Sequence, residues 1–223
     1  MEQESVLKNW KVVGGIIVAI AALFAFIYFT AEKPVVLVEP DIASVKTEGS
    51  PVIGSADAPV AVAYWSDYQC TYCKKFEAEV VSRIIADYVD AGKVKIIFKD
   101  FAFLGPDSTT AALAGRAVWE ISPEKFAGWH KAMHEKQDAE NSGWGNRADI
   151  LALTQEVGID SVKVGELMDA KAAEYQKAID ADQREGAAFG IGGTPSVIIG
   201  KQLVYGFSSY EKLKPLIEAE LGK

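Results

Sequence analysis

Cys70 and Cys73 are the residues of this sequence best suited to covalent chemistry, and they stand three positions apart. An apolar run at residues 60–65 precedes them, and residues 74–90 follow with apolar side chains at helical spacing. The run is typical of a strand buried on both faces, and the spacing predicts an amphipathic helix. A Cys-x-x-Cys pair between a strand and a helix indicates a redox-active dithiol.

The start of a helix predicts different roles for the two thiols. The first N–H groups of a helix are unpaired and its dipole places positive charge there, which stabilises a thiolate at Cys70 and lowers its pKa. Cys70 is the expected nucleophile, and Cys73 is placed to resolve a mixed disulfide on Cys70. Thr71 and Tyr72, between them, are candidates for tuning the redox potential; Tyr72 is also a candidate for substrate contact, with a plain surface role as the alternative.

Charged residues flank this pair. Asp67 is a candidate for capping the cysteine helix, because Asp at a helix start accepts backbone N–H bonds. Lys74 and Lys75 either assist the Cys70 thiolate or are simply solvated, the second being the commoner state of lysines in a first turn.

Two rival interpretations of the cysteines remain. With His130 and His134 they complete the ligand set of a structural zinc site, but a long stretch of chain separates the halves and a domain of this size needs no metal. We therefore expect no metal, and we expect one or both histidines on a partly exposed helix face. A purely structural disulfide is the other alternative, although so short a loop stabilises a fold little.

The composition of the chain limits the classes of function that it can have. The chain has 223 residues, of which 49 % are hydrophobic, so a substantial core is expected. A net charge of -8 argues against nucleic acid as a partner. No phosphate-binding glycine loop is present, so no organic cofactor is expected, and Trp119, Trp129 and Trp144 are expected in the core.

An uncharged apolar stretch runs from Val12 to Ala31. At about 1.5 Å per residue it matches the roughly 30 Å of hydrocarbon in a bilayer, which predicts one transmembrane helix. Large aromatic residues continue to its end, which favours an uncleaved anchor over a cleaved signal peptide or a buried helix. Lys8 and Lys11 precede it, so the N-terminus is expected in the cytoplasm and the remainder outside the cell membrane.

The rest of the pattern predicts an α/β domain interrupted by helices. Helix starts are expected at Asp107 or Ser108, at Ser122-Pro123-Glu124, near Arg147 and at Ser208 or Ser209. A short strand is expected at Val35 to Val38. The predicted segments are a cytoplasmic N-terminus (1–11), a transmembrane anchor (12–31), a linker (32–58), the first part of the α/β domain (59–106), a helical insertion (107–186) and the second part (187–223).

Four ordered features resemble the DsbA-like thiol-disulfide oxidoreductases, which have the thioredoxin fold, and in particular their membrane-anchored members. The resemblance covers about residues 54–223. It rests on Ser66-Asp67-Tyr68-Gln69-Cys70-x-x-Cys73, Lys99-Asp100-Phe101, the helical insertion and Gly192-Gly193-Thr194-Pro195.

The resemblance implies further site residues. The Thr194-Pro195 bond is expected to be cis and to face the cysteines, and the backbone of Thr194 to pair with an extended substrate segment. One position departs from the family pattern: many relatives carry a buried acid six positions before the first cysteine, where this chain has Tyr64. In the relatives that residue is thought to help move the proton of the resolving thiol, so the resemblance does not say how this chain handles that proton.

The expected function is extracytoplasmic dithiol-disulfide exchange that introduces disulfides into exported, cysteine-containing proteins. The resemblance implies reoxidation by a quinone-linked membrane partner of the DsbB-like or VKOR-like kind. A thiol reductase or a disulfide isomerase of the same fold is the alternative, because Thr194 and the Thr-Tyr pair do not determine the reduction potential. A non-catalytic structural or zinc-binding domain is the distant alternative.

Overall fold

The computed structural model describes residues 13–23, 37–138, 142 and 144–223. It divides into two units, Met1–Val36 and Leu37–Lys223. In the first unit, residues 13–23 are helical (α1), and the predicted cytoplasmic residues and the remainder of the predicted anchor lie outside the described residues. Within the described part of the chain, no helix is both long enough and apolar enough to cross a membrane.

A five-stranded mixed sheet organises the second unit, in the order β1-β3-β2-β4-β5. β2 and β3 are parallel, and every other pair is antiparallel. Parallel neighbours require a crossover, and the helical run after the cysteines supplies it. The strands are β1 (Val52–Ile53), β2 (Val60–Ser66), β3 (Val94–Asp100), β4 (Ser196–Ile199) and β5 (Gln202–Tyr205).

The crossover is one continuous helical run that alternates between α and π geometry. It consists of α2 (Thr71–Phe76), a π segment (Glu77–Val81), α3 (Ser82–Ile84) and a second π segment (Ile85–Val89). It buries Phe76, Val80 and Ile84 against the sheet. The helix predicted over residues 74–90 is therefore confirmed, although it begins earlier, at the cysteines.

The region between β3 and β4 is helical, as the sequence predicts. A 3-10 turn, Pro123–Lys125, precedes α5. The helices are α4 (Pro106–Ile121), α5 (Phe126–Lys136), α6 (Arg147–Glu156), α7 (Ser161–Ala170) and α8 (Ala172–Ala188), and α9 (Tyr210–Leu221) follows the last strand. Trp129 of α5 is fully buried and donates a hydrogen bond to Thr154 Oγ1 at 2.9 Å. Trp119 and Trp144 pack partly buried against the same core.

The segment before β2 differs from the expected linker. From residue 37 onwards it packs on the domain: the Val38 N–H donates to Ala188 O, the Ile42 N–H donates to Gly200 O, and Val45 is buried. Within residues 37–58, the regular elements are a 3-10 turn at Ile42–Ser44 and strand β1. The physical reason is that β3 offers an open edge, which β1 covers by antiparallel pairing. No strand is formed at Leu37 and Val38; the other residues of the predicted strand lie outside the described residues.

A buried ionic cluster attaches α8 and α4 to β3. The Lys99 ammonium lies 2.5 Å from Asp182 Oδ1 and 2.9 Å from Glu185 Oε2. The Arg116 guanidinium pairs with Asp100 at 2.6 Å and with Asp182. Because buried charges are tolerated only when they are paired, these contacts determine how the two helices sit on the sheet.

Candidate active site

The redox pair lies where β2 gives way to α2. Cys70 is the residue that caps the N-terminus of α2, with extended backbone (φ −78, ψ 115), and its carbonyl accepts hydrogen bonds from the N–H groups of Cys73 and Lys74. Both cysteines are thiols in this structure. Cys73 is fully buried, whereas Cys70 retains a small accessible surface. The predicted helix-start position of Cys70 is thus the one observed.

The surroundings of Cys70 stabilise its thiolate. The hydrogen bond from the Cys73 thiol lowers the pKa of Cys70 most, burial opposes it, and the Thr194 side chain and the backbone at Cys73 and Tyr72 lower it further; the pKa falls to about 6. This value lies well under that of an ordinary cysteine, about 8.5. At neutral pH Cys70 is mainly a thiolate.

The surroundings of Cys73 have the opposite effect. Burial and the hydrogen bond to Cys70 raise the pKa of Cys73 well above its usual range. The one proton that the two sulfurs share therefore stays on Cys73. This difference in pKa suits Cys70 to the predicted role of nucleophile, since a thiolate attacks and a thiol does not.

A loop before β4 closes the site from the other side. The Thr194-Pro195 peptide bond is cis. The Cys70 thiol lies 3.5 Å from the Thr194 carbonyl oxygen, to which it donates. The Thr194 hydroxyl is buried, has no oxygen or nitrogen partner within the described residues, and lowers the pKa of both thiols. A Cβ at Gly193 would lie 3.0 Å from the Tyr205 hydroxyl, so a larger residue there would have to displace the exposed Tyr205 side chain.

The residues between the cysteines face solvent. Thr71 is exposed and Tyr72 is 63 % exposed. Both are accessible to a docked polypeptide beside Cys70.

Asp67 does not cap α2, contrary to the expectation. Its carboxylate is buried and accepts hydrogen bonds from the N–H groups of Gln69, Phe103 and Leu104 and from the Ser108 hydroxyl. It therefore joins the loop before Cys70 to the loop after β3.

The two lysines of α2 have partners away from the Cys70 sulfur. Lys74 donates to the carbonyl oxygen of Gln137, and the Lys75 ammonium lies 4.6 Å from the centre of the Phe207 ring. The hydrogen bonds described above, rather than a lysine charge, are what lower the pKa of Cys70.

Tyr64 reaches the resolving cysteine from β2. Its side chain is 1 % exposed, and its hydroxyl makes no hydrogen bond to an oxygen or nitrogen of the described residues. Burial raises the pKa of Tyr64 well above its usual range, and the nearby Cys73 and Glu77 raise it further. The position that holds an acid in many relatives thus carries a neutral hydroxyl beside Cys73.

The two histidines are buried rather than partly exposed. His130 and His134 are each 1 % exposed, because α5 packs this face against the sheet and the cysteine helix. Glu77, also buried, brings its Oε2 to 3.4 Å from His130 Nδ1. Burial lowers the pKa of His134 well below its usual range, so its imidazole is neutral.

Glu77, His130 and His134 form the group among the described residues that could hold a metal ion. Each offers a ligand atom, and these atoms all lie within 4.8 Å of one another. Neither cysteine belongs to this group. The zinc site considered from the sequence paired the histidines with the cysteines and did not include Glu77.

A thiolate of lowered pKa at a helix start, beside a buried thiol that keeps its proton, defines a dithiol-disulfide exchange site on a thioredoxin-like sheet. The chain belongs to the thioredoxin family, whose model matches residues 46–219. It is a thiol-disulfide oxidoreductase of the DsbA-like kind.

Known relatives agree with this assignment. The chain is 32 % identical over 177 residues to disulfide bond formation protein D of Bacillus subtilis, covering 78 % of each chain. The crystal structure of oxidised BdbD from Bacillus subtilis is similar, with a TM-score of 0.74 and 29 % identity over 86 % of this chain and 100 % of that one. The thiol-disulfide exchange protein alpha-DsbA2 of Wolbachia pipientis has a TM-score of 0.67 and 25 % identity over 76 % of this chain and 86 % of that one.

Proposed function

We propose that this oxidoreductase works outside the cytoplasm as an oxidase, donating the Cys70-Cys73 disulfide to exported proteins that contain cysteines. The observation that carries the direction is the pKa of about 6 at Cys70. A thiolate stabilised by its surroundings stabilises the reduced form of the pair, and a pair with a stable reduced form is a strong oxidant. Relatives named disulfide bond formation protein D support the same direction.

The exchange balances in two steps. A substrate thiolate attacks Cys70 Sγ, the Cys70-Cys73 bond breaks, and Cys73 leaves as a thiolate that takes up a proton. A second substrate thiolate then attacks the substrate sulfur of the mixed disulfide and releases Cys70 as a thiolate. The substrate loses two electrons to the pair. The low pKa of Cys70 makes it a good leaving group in the second step.

The buried Cys73 needs help in the first step, because it leaves as a charged sulfur in an apolar surrounding. We assign this help to the Tyr64 hydroxyl, which is buried beside Cys73 and has no oxygen or nitrogen partner within the described residues. The hydroxyl donates a hydrogen bond to the departing thiolate. This arrangement replaces the buried acid that many relatives carry.

The substrate is held beside Cys70 by backbone contacts at Thr194 and Pro195. Thr194 presents its carbonyl oxygen 3.5 Å from the Cys70 sulfur. An extended segment with a cysteine opposite Cys70 pairs with this backbone in the manner of an added strand. Thr71 and Tyr72, both exposed, tune the potential and border the segment.

The chain is anchored by one transmembrane helix at residues 12–31 and is reoxidised by a quinone-linked membrane protein of the DsbB-like or VKOR-like kind. Support for the anchor comes from the described part of α1, where large apolar side chains such as Ile16, Ile17 and Val18 are exposed. A donor of disulfides must be reoxidised after each turnover, and a membrane position places it beside such a partner.

The reduction potential of the redox pair tests the direction. The purified protein is equilibrated with glutathione buffers, and the reduced fraction is measured by alkylation and mass spectrometry. A potential near about -120 mV is expected, whereas a value near about -270 mV would identify a reductant. The Cys73→Ala variant, which cannot form the disulfide, calibrates the signal of the reduced form.

A further inference from the structure

We infer that Glu77, His130 and His134 bind a divalent transition metal ion, with Zn(II) as the expected occupant, in a closed site separate from the two cysteines. The dithiol-disulfide exchange described above uses none of these three side chains.

The donor set is the first argument. Two imidazoles and one carboxylate are ligands that Zn(II) takes in proteins. His130 and His134 stand four residues apart on α5, which places both rings on one helix face, with centroids 4.7 Å apart. Glu77 comes from the π segment of the facing helix, and such segments are frequent at functional sites.

The distances are the second argument. The three ligand atoms already lie within 4.8 Å of one another. Four ligands at about 2.0–2.2 Å around zinc lie roughly 3.4 Å apart, so small side-chain rotations bring these atoms into place.

The missing hydrogen bonds are the third argument. Glu77 Oε2 and all four imidazole nitrogens are buried without a hydrogen-bond partner in the described part of the chain. Buried polar atoms almost always have a hydrogen-bond partner. An atom buried without one loses its hydrogen bonds to water and gains none in return. One metal ion would satisfy an atom of each residue at once.

The surrounding rings are the fourth argument, since they hold the imidazoles in place. The Tyr68 ring stacks on His134 with centroids 5.2 Å apart, and the Phe98 ring lies 4.6 Å from His130. The Tyr64 ring is 6.2 Å from His130, and its unpartnered hydroxyl is near Glu77. Three protein ligands leave the fourth position of a tetrahedral site to a small ligand such as water.

Because neither cysteine is one of the ligands, metal binding does not depend on the redox state of the cysteines. The test uses the tag-free full chain carrying Cys70→Ser and Cys73→Ser, refolded with Co(II), because a closed site is best loaded during folding. We expect one equivalent of Co(II), visible d-d bands, no intense thiolate charge-transfer band, and displacement by Zn(II).

Ligand identity is tested by matched substitutions. Glu77→Gln and His134→Phe are each expected to weaken Co(II) binding more than about 100-fold, whereas Glu79→Gln, an exposed position in the same π segment, leaves it unchanged. Near-UV circular dichroism checks the fold of each variant. The chain has only two histidines. Paramagnetically shifted imidazole N–H signals from both therefore identify them as ligands without any substitution.

Three results would overturn the inference: a folded protein that binds no Co(II), binding that survives both ligand substitutions, or binding that requires the cysteines. The activity of the redox pair is measured separately in the unsubstituted chain. Failure of the metal site therefore leaves the proposed oxidase function untouched, and the reverse also holds.

Discussion

At the residue scale, two chemically identical thiols differ because of what surrounds each sulfur. Cys70 caps the helix and receives hydrogen bonds, while Cys73 lies one turn inside and is sealed from solvent. The pKa of the first falls and that of the second rises. The single proton therefore stays on Cys73. This suits Cys70 to act as the nucleophile and Cys73 to act as the resolving thiol.

The pH dependence of Cys70 reactivity follows from this. With a pKa of about 6, Cys70 is mainly a thiol at pH 5 and mainly a thiolate at pH 7, so alkylation by iodoacetamide should rise through that interval and then level off. In Cys73→Ala, which removes the largest cause of the lowered pKa, the midpoint should move to higher pH. A wild-type alkylation rate that keeps rising beyond pH 8 would contradict a pKa of about 6 for Cys70.

The division of roles predicts different defects in the two cysteine variants. Cys70→Ala should abolish disulfide transfer, because no accessible thiol remains to form the mixed disulfide. Cys73→Ala should accumulate mixed disulfides with a protein that carries a disulfide, since Cys70 attacks that disulfide, one substrate sulfur leaves as a thiolate, and no second cysteine is present to displace the other. Non-reducing electrophoresis with mass spectrometry measures both, and residual turnover in Cys70→Ala would refute the assignment.

Tyr64→Phe tests proton handling at Cys73. Removing the hydroxyl should slow disulfide donation by about tenfold or more, because the departing Cys73 thiolate loses its hydrogen bond. The pKa of Cys70 should stay lowered, since the hydrogen bonds from Cys73 and Thr194 that lower it remain in this variant. Stopped-flow transfer to a reduced peptide gives the rate. Tyr175→Phe, which removes a partly buried hydroxyl bound to Glu120, is the matched control and should transfer at the wild-type rate.

At the element scale, the site depends on helices that are held to the sheet by buried charges. Asp182 of α8 is the centre of the ionic cluster: it pairs with Lys99 and Arg116 and accepts the N–H of Asp100 at 3.0 Å. Lys99 and Asp100 belong to β3, which runs parallel to the strand leading to the cysteines. The cluster thus connects the helical insertion to the strands that support the redox pair.

Asp182→Ala should therefore lower the free energy of unfolding by about 3–5 kcal/mol, because it leaves two buried cations short of a partner. Asp180→Ala on the same helix, where the carboxylate meets only Gln176 at 2.7 Å among the described residues, should change it by about 0.5 kcal/mol or less. Urea unfolding followed by tryptophan fluorescence measures both. Equal effects would show that the cluster adds no stability of its own.

At the scale of the whole molecule, the chain combines an apolar N-terminal segment with a compact unit, Leu37–Lys223. Because the proposed anchor belongs to the first segment and the redox pair to the second, membrane binding and exchange should separate. The full chain should sediment with membranes and resist extraction by high salt and alkaline carbonate. A chain starting at Leu37 should be soluble and keep the same Cys70 alkylation profile.

Mass spectrometry of the membrane-bound protein distinguishes an intact anchor from a cleaved leader. Recovery of the full chain in the soluble fraction, or of a protein shortened beyond residue 31, would contradict the anchor.

Much of this protein was determined by its sequence alone. Patterns among neighbouring residues can be recognised without knowledge of the fold. Such patterns predict the Cys-x-x-Cys pair, the buried strand before it, the amphipathic helix after it and the helical region before β4. Thr194 beside Cys70 followed from the family resemblance, because four ordered motifs together specify a topology.

Other features were decided only by the tertiary structure. Asp67 joins two loops instead of capping a helix, residues 37–58 pack on the domain instead of forming a linker, and Glu77 meets His130 and His134 in a closed pocket. Each of these depends on contacts between residues far apart in the chain. Burial converts a polar side chain that looks ordinary in the sequence into one that must find a partner, and only the packed structure shows which partner that is.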